Sequence, residues 1–255
     1  MSEALQQAAG ERLRRALAAL TRTPLTGALA GMVVTAVVQS SSATTVMVIG
    51  FVSAGLLELP QAVAVIFGAN IGTTVTAQLL AFRVEEMLGL VLFGGFFLCA
   101  VARTKRGRQM GTAVFSFGLL FAGMEQIQSV VEPLALRPEF EAWMVQVREK
   151  PLWGLLLGLG MTLVVQSSSA TIGVLQGVAQ QAGPDGVHSL LGLAGAVPVL
   201  LGDNVGTTIT AILAAAGGTR DAKRAAAAHC CFNLSGSLLS LIHIYAADER
   251  SSVDL

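Results

Sequence analysis

The sequence predicts an all-α polytopic membrane protein of two inverted repeats, each with a re-entrant helical hairpin and an interrupted transmembrane helix. Three observations predict it. First, 53% of the 255 residues are apolar and only 13% charged, with a mean hydropathy of +0.68, against roughly 25% charged in an ordinary soluble domain. Second, the charges are gathered into clusters separated by long apolar runs. Third, the chain repeats itself. Pro24–Thr44 and Pro151–Thr171 share 14 of 21 residues at a shift of 127, including the run VVQSSSAT. A second block follows in each half, Gly68–Ala77 (GANIGTTVTA) and Gly202–Ala211 (GDNVGTTITA), at a shift of 134. Two blocks recurring in one order mean a duplicated unit. The seven extra residues fit the turn-rich stretch 180–188.

Composition also excludes. Sixteen Lys and Arg balance sixteen Asp and Glu, so the chain is not a basic nucleic-acid binder, and no nucleic-acid partner is expected. Cys99, Cys230 and Cys231 are too few and too poorly spaced for a disulfide framework or a zinc cluster. His229-Cys230-Cys231 resembles a metal fragment, but adjacent helical positions point in different directions.

Helices are the only open-chain way to span lipid. Residues 1–23 read as an amphipathic helix whose arginines suit the cytoplasmic leaflet. Repeat 1 covers 24–124, a linker 125–150, repeat 2 151–245, and a polar tail 246–255. Within repeat 1, the arms 24–38 and 43–57 hold fifteen residues each, short of the ~20 needed to cross. Joined by Gln-Ser-Ser-Ser, they read as a hairpin that dips into the bilayer and returns. Residues 61–82 cross next, interrupted at Gly68–Gly72, then 84–102 and 109–124. In repeat 2, 151–182 form the second hairpin, 188–216 an interrupted crossing and 225–245 the last one. With Arg12–Arg22 inside, the clusters Arg103–Arg108 and Arg220–Arg224 also fall inside, as the positive-inside rule asks. The hairpins then enter from opposite faces.

Inverted repeats with discontinuous helices place a solute site between the repeats. Gln39, Ser40, Ser41 and Ser42, with Gln166, Ser167, Ser168 and Ser169, offer six hydroxyls and two amides. Each tip starts a new helix, whose unpaired N–H groups and positive dipole end suit an anion. A tetrahedral oxyanion is the predicted ligand, held without Lys or Arg. The second block offers oxygens from Asn70, Thr73, Thr74, Asn204, Thr207 and Thr208. Its glycines would permit local unwinding, freeing backbone carbonyls for a small monovalent cation such as sodium. Asp203, whose repeat partner is Ala69, would balance that cation or carry a proton. The alternative for the hydroxyls is bonding to carbonyls within their own helices, and for Asp203 a structural hydrogen bond. The Gly27/Gly31 and Gly154/Gly158 pairs read as close helix packing.

Paired Gln-Ser-Ser-Ser motifs, each followed by Gly-x-Asn-x-Gly-Thr-Thr, resemble the sodium/phosphate cotransporter II family and its bacterial relatives. Ala228–Gly236 (AHCCFNLSG) also looks like that family's segment after the second repeat. No His-x-x-Phe-Asn copy follows the first repeat, where Glu85-Glu86-Met87 stands. The resemblance implies a multi-pass protein of the bacterial inner membrane that couples inward movement of inorganic phosphate to sodium. It is then no enzyme and needs no cofactor beyond the coupling ion. The resemblance gives the tips 39–42 and 166–169 to phosphate, and Asn70, Thr73, Asn204 and Thr207, with neighbouring serines and threonines, to sodium. Transport of a different oxyanion, proton-coupled or uncoupled transport, an anion channel, an intramembrane serine enzyme and a phosphate-sensing module are the competing functions. A homodimer is left open.

Overall fold

The computed structural model describes residues 17–80, 87–135, 137–183 and 189–253. Most of the expected N-terminal helix, Glu85-Glu86 and the turn at 184–186 lie outside these residues. Among the described residues the chain is helical with no strand, apart from an isolated bridge between Ala182 and Ser189.

The helices, in chain order, are α1 (Pro24–Val38), α2 (Ser41–Ser53), α3 (Leu59–Leu80), α4 (Leu88–Val101), α5 (Lys105–Ala135), α6 (Pro138–Glu149), α7 (Pro151–Val165), α8 (Ser168–Gln180), α9 (Gly192–Gly206), α10 (Thr208–Ala215) and α11 (Arg220–Val253). Both α1 and α7 begin with proline, where the missing N–H costs nothing. A reciprocal Thr23–Thr26 capping box also starts α1.

Four segments are long and apolar enough to cross a membrane among the described residues: Leu59–Gln78, Lys105–Leu134, Gly192–Ala215 and Arg220–Ile244. Helices α1, α2, α4 and α7 are apolar but shorter. At 1.5 Å per residue, the fifteen residues of α1 and of α7 reach only about 22 Å, against about 30 Å of hydrocarbon. Matching positions of the repeats are bare of protein: Val37 is 79% and Val164 84% exposed.

Three elements differ from the sequence reading. The helix over 59–80 is continuous through Gly68 and Gly72, where a break is expected. Those glycines serve contact rather than flexibility. A Cβ at Gly68 would overlap the Ala28 carbonyl, and one at Gly72 would lie 2.8 Å from the Thr35 Cβ. In repeat 2 the helix is interrupted, by a turn at Thr207 between α9 and α10. The crossing expected at 109–124 is the 31-residue α5, and the linker contains α6. The acidic segment is helical because it is amphipathic and correctly charged. Glu139 and Glu141 sit in the first turn of α6, Arg148 in the last, and Met144 and Val147 are buried.

The chain forms two compact units, which cut across the sequence repeats. The first comprises residues 1–77, 150–171 and 197–255. Its core joins Val48, Ile49 and Val52 of α2, Ala62, Val65 and Ile66 of α3, Ala211 and Ala215 of α10, and Ala222, Ala225 and Ala226 of α11. Within it α1 packs on α3 and α7 on α9 through small residues. A Cβ at Gly31 would overlap the Val65 carbonyl, and one at Gly158 the Val199 carbonyl. The second unit comprises 78–149 and 172–196. There α4 and α5 approach closely, a Cβ at Gly95 colliding with the Phe115 backbone, and Phe117 meets Phe121 edge-on at 4.9 Å.

These contacts predict distinct outcomes for neighbouring glycines. Gly158→Ala forces α7 and α9 apart and should cost about 1–3 kcal/mol. Gly160→Ala, with nothing within 4 Å of its Cβ, should be neutral. Thermal unfolding of the detergent-purified variants, followed by tryptophan fluorescence, checks the difference.

Candidate functional site

The two Gln-Ser-Ser-Ser motifs adopt the same backbone. Gln39 and Gln166 end α1 and α7 in the left-handed conformation, at φ 58°, ψ 28° and φ 55°, ψ 26°. These are the positive-φ non-glycine residues among those described. Their N–H groups donate to the Thr35 and Thr162 carbonyls, each at 2.7 Å. A left-handed residue reverses the chain without continuing the helix. The next serine then caps a new one: Ser40 Oγ accepts from the Ala43 N–H at 3.2 Å, and Ser167 Oγ from the Ala170 N–H at 3.3 Å. Each cap serine keeps its hydroxyl hydrogen free to donate.

Buried threonines brace each tip in the same way. Thr35 Oγ1 donates to Thr44 Oγ1 at 3.0 Å, and Thr162 and Thr171 share a hydroxyl contact at 3.3 Å. All four are at most 2% exposed. Thr44 and Thr171 also donate to the Ser40 and Ser167 carbonyls, at 3.1 and 3.3 Å.

The two tips line one cavity of about 60 Å³, together with Thr73 and Thr76 of α3. Its wall is entirely Gln, Ser and Thr, with no charged residue among those described. A water occupies about 30 Å³ of liquid, and a pocket for a drug-sized ligand measures about 300–1,000 Å³. The space is on the scale of a small ion rather than of a drug-sized ligand. All eight tip residues predicted to bind the anion, 39–42 and 166–169, lie on this wall.

The residues predicted to bind the cation are divided. Thr73 reaches the cavity; Asn70, Thr74, Asp203, Asn204, Thr207 and Thr208 do not line it. Thr74 is exposed and donates to the Ile71 carbonyl at 2.7 Å. Thr73 donates to the Ala69 carbonyl, Thr207 to Asn204 and Thr208 to Val205. Each hydroxyl hydrogen is thus spent on a backbone carbonyl three or four residues back, while oxygen lone pairs remain. Asp203 is 5% exposed and accepts a hydrogen bond from Thr162. It therefore stands behind the second tip, bonded to the threonine pair. Ala69 occupies the equivalent place in repeat 1, so only the second tip has a carboxylate behind it.

Two residues of the site escaped the sequence reading. Thr76 donates to Gln39 Oε1 at 2.9 Å, fixing the amide at the first tip. Its signal was present, three residues beyond Thr73 in the repeated block. Asn233 of α11 accepts from Asn70 Nδ2 at 2.6 Å and donates to the Asn204 carbonyl at 2.8 Å. Its signal was the four-residue spacing of His229, Asn233 and Ser237, which puts three polar residues on one helical face.

The uncharacterized protein YqeW of Bacillus subtilis (strain 168) is 33% identical over 236 residues, covering 92% of this chain and 74% of its own. YjbB of Escherichia coli (strain K12), whose name assigns inorganic phosphate export provisionally, is 28% identical over 239 residues, 93% of this chain and 43% of its own. The chain thus spans less than half of that relative. Sodium-dependent phosphate transport protein 2A of Ovis aries is 46% identical over 63 residues, 25% of this chain and 10% of its own. No solved structure matches. The family model described as Na+/Pi-cotransporter matches residues 1–129 and 131–247, and the chain belongs to that family of phosphate transporters.

Proposed function

We propose that the chain carries inorganic phosphate across the cell membrane coupled to sodium, with the two hairpins re-entering from opposite faces as inverted repeats. The observation that carries this reading is the shared cavity. Two identical hairpin tips, 127 residues apart in sequence, converge on one charge-free polar space.

The chemistry follows from the donors. The helix starts at Ser41 and Ser168 lie on the cavity wall, their first amide N–H groups lack an intrahelical acceptor, and the serine hydroxyls add donors. A phosphate dianion can exchange its water for these groups without meeting a fixed positive charge. Neutral donors hold it less tightly than Lys or Arg would, which favours release on the far side. The shortness of α1, α2 and α7 supports tips that stop inside the bilayer rather than cross it. Sodium near the second blocks would compensate the charge of the anion, with Asn70, Thr73, Thr74, Asn204, Thr207 and Thr208 as oxygen ligands. Asp203 is the carboxylate beside that chemistry. Its burial supports a second reading, in which a proton on Asp203 replaces sodium. The direction of transport follows from the gradients rather than from the site.

Uptake of 32P-labelled phosphate into proteoliposomes, with and without an inward sodium gradient, tests the proposal. Strong uptake in sodium and little in potassium is expected. Equal uptake in both removes sodium coupling, and ion currents far above carrier turnover would favour a channel. Ser41→Ala and Ser168→Ala should each weaken phosphate binding by about 1 kcal/mol, roughly fivefold, as for one lost hydrogen bond to an ion. Unchanged phosphate affinity in both variants contradicts the tip site.

Asp203→Asn keeps the shape and an acceptor for Thr162 but removes the charge. The expected result is an altered sodium or proton dependence of uptake with phosphate affinity nearly unchanged. The opposite pattern would assign Asp203 to the anion site.

A further inference from the structure

Helix α11 places His229, Asn233 and Ser237 on one buried face, at 3%, 1% and 1% exposure. The transport reading leaves this stripe unused. Asn233 has each side of its amide committed to a different element. Its Oδ1 accepts from Asn70 Nδ2 of α3 at 2.6 Å. Its Nδ2 donates to the Asn204 carbonyl of α9 at 2.8 Å, and lies 3.2 Å from His229 Nε2 and 3.5 Å from Thr207 Oγ1. Two hydrogens on Nδ2 satisfy Asn204 and His229 together. His229 Nε2 is then the acceptor, its hydrogen rests on Nδ1, and Nδ1 is buried without a partner. The imidazole is thus held through Asn233.

The matching asparagines of the two repeats, Asn70 and Asn204, meet at this one amide. We propose that Asn233 is a positioning residue for the cation-binding blocks of both repeats, fixing Asn70 and the turn at Thr207 so that the two blocks change together. The inference rests on the sodium-coupled reading above. The geometry makes the tie specific. The Asn204 carbonyl accepts from Thr207 Oγ1 at 2.7 Å as well as from Asn233, so both its lone pairs are drawn to side chains at the turn. In repeat 1, Thr73 bonds four residues back, to Ala69, and the helix runs through. The Asn70 amide, with its nitrogen held by Asn233, keeps Oδ1 as an oxygen available to a cation. On this reading Asn233 acts through Asn70 and Asn204, to which both sides of its amide are committed.

The test uses the full chain in proteoliposomes, with labelled phosphate and sodium chloride as probes. Wild-type uptake is measured first. If it shows no sodium dependence, the parent reading fails and this inference falls with it. If it does, Asn233→Ala should raise the sodium concentration for half-maximal uptake about fivefold to tenfold, the scale of one lost buried hydrogen bond. The half-saturating phosphate concentration at saturating sodium should stay within about twofold of wild type, on the same scale. An unchanged sodium requirement, or equal shifts in both constants, overturns the inference and leaves the parent reading standing. If Asn233→Ala does not purify as a folded protein, His229→Leu, which removes only one acceptor from the amide, takes its place. A rise in the sodium requirement alone supports the proposal; no rise overturns it.

Discussion

The helices Ser41–Ser53 and Ser168–Gln180 begin where two chain reversals converge, and each leaves its first amide N–H groups without an intrahelical acceptor. The rest of the first compact unit can be understood as what holds those two helix ends in place. The left-handed glutamines stop the preceding helices, the cap serines each satisfy one N–H, and the threonine pairs lock each tip from behind. Glycine contacts bring α1 against α3 and α7 against α9 at near-backbone distance. Without that approach the bracing threonines could not lie so close to the neighbouring helix. The residues that begin both helices line a small polar cavity. Its hydroxyls and amides supply both donors and acceptors, and on the proposed reading the donors take the anion.

The repeats are alike at the tips and unlike behind them. Repeat 1 has Ala69, an unbroken helix and a threonine that holds its glutamine. Repeat 2 has Asp203, a turn at Thr207, and Thr210 donating to the Thr207 carbonyl rather than to Gln166. Two halves with identical anion donors but different polar support cannot have equal energies when they rearrange. On the transport reading, this asymmetry lets one half carry more of the cation response than the other. It also means that a substitution at a matched pair of positions need not have matched effects, even where the motif letters are the same.

Much of this was legible in the sequence because the repeat compares the chain with itself. Identical residues at a fixed shift marked both Gln-Ser-Ser-Ser segments, and the structure ends a helix at the glutamine of each. The continuity of α3 was not legible. Glycine lowers helix propensity by about 1 kcal/mol, which argues for a break at Gly68–Gly72, yet the same glycines permit contact with Ala28 and Met32 that keeps the helix whole. Only the partner helix decides between these roles. Helix α6 was hidden by its mixed charges, which read as a linker until Met144 and Val147 are seen to share a buried face. Asn233 was hidden by distance. It lies 163 residues from Asn70 and 29 from Asn204, and nothing local says that one amide joins them.

No basic residue among those described lines the cavity, and this bears on coupling. Moving an ion from water into a low-dielectric interior costs several kcal/mol even after the protein relaxes. Neutral hydroxyls and amides offset part of that cost but cannot cancel the charge. A fixed lysine would cancel it and also bind the anion too well to let it go. On the proposed reading, a mobile cation cancels it during transit and leaves with it. Asp203, one threonine away from the second tip, sharpens the requirement, because an ionised carboxylate there repels an incoming phosphate. A sodium ion or a proton close to that carboxylate removes the repulsion. On the proposed reading, anion and cation then favour each other's binding through plain electrostatics, and phosphate enters when its counter-charge is present.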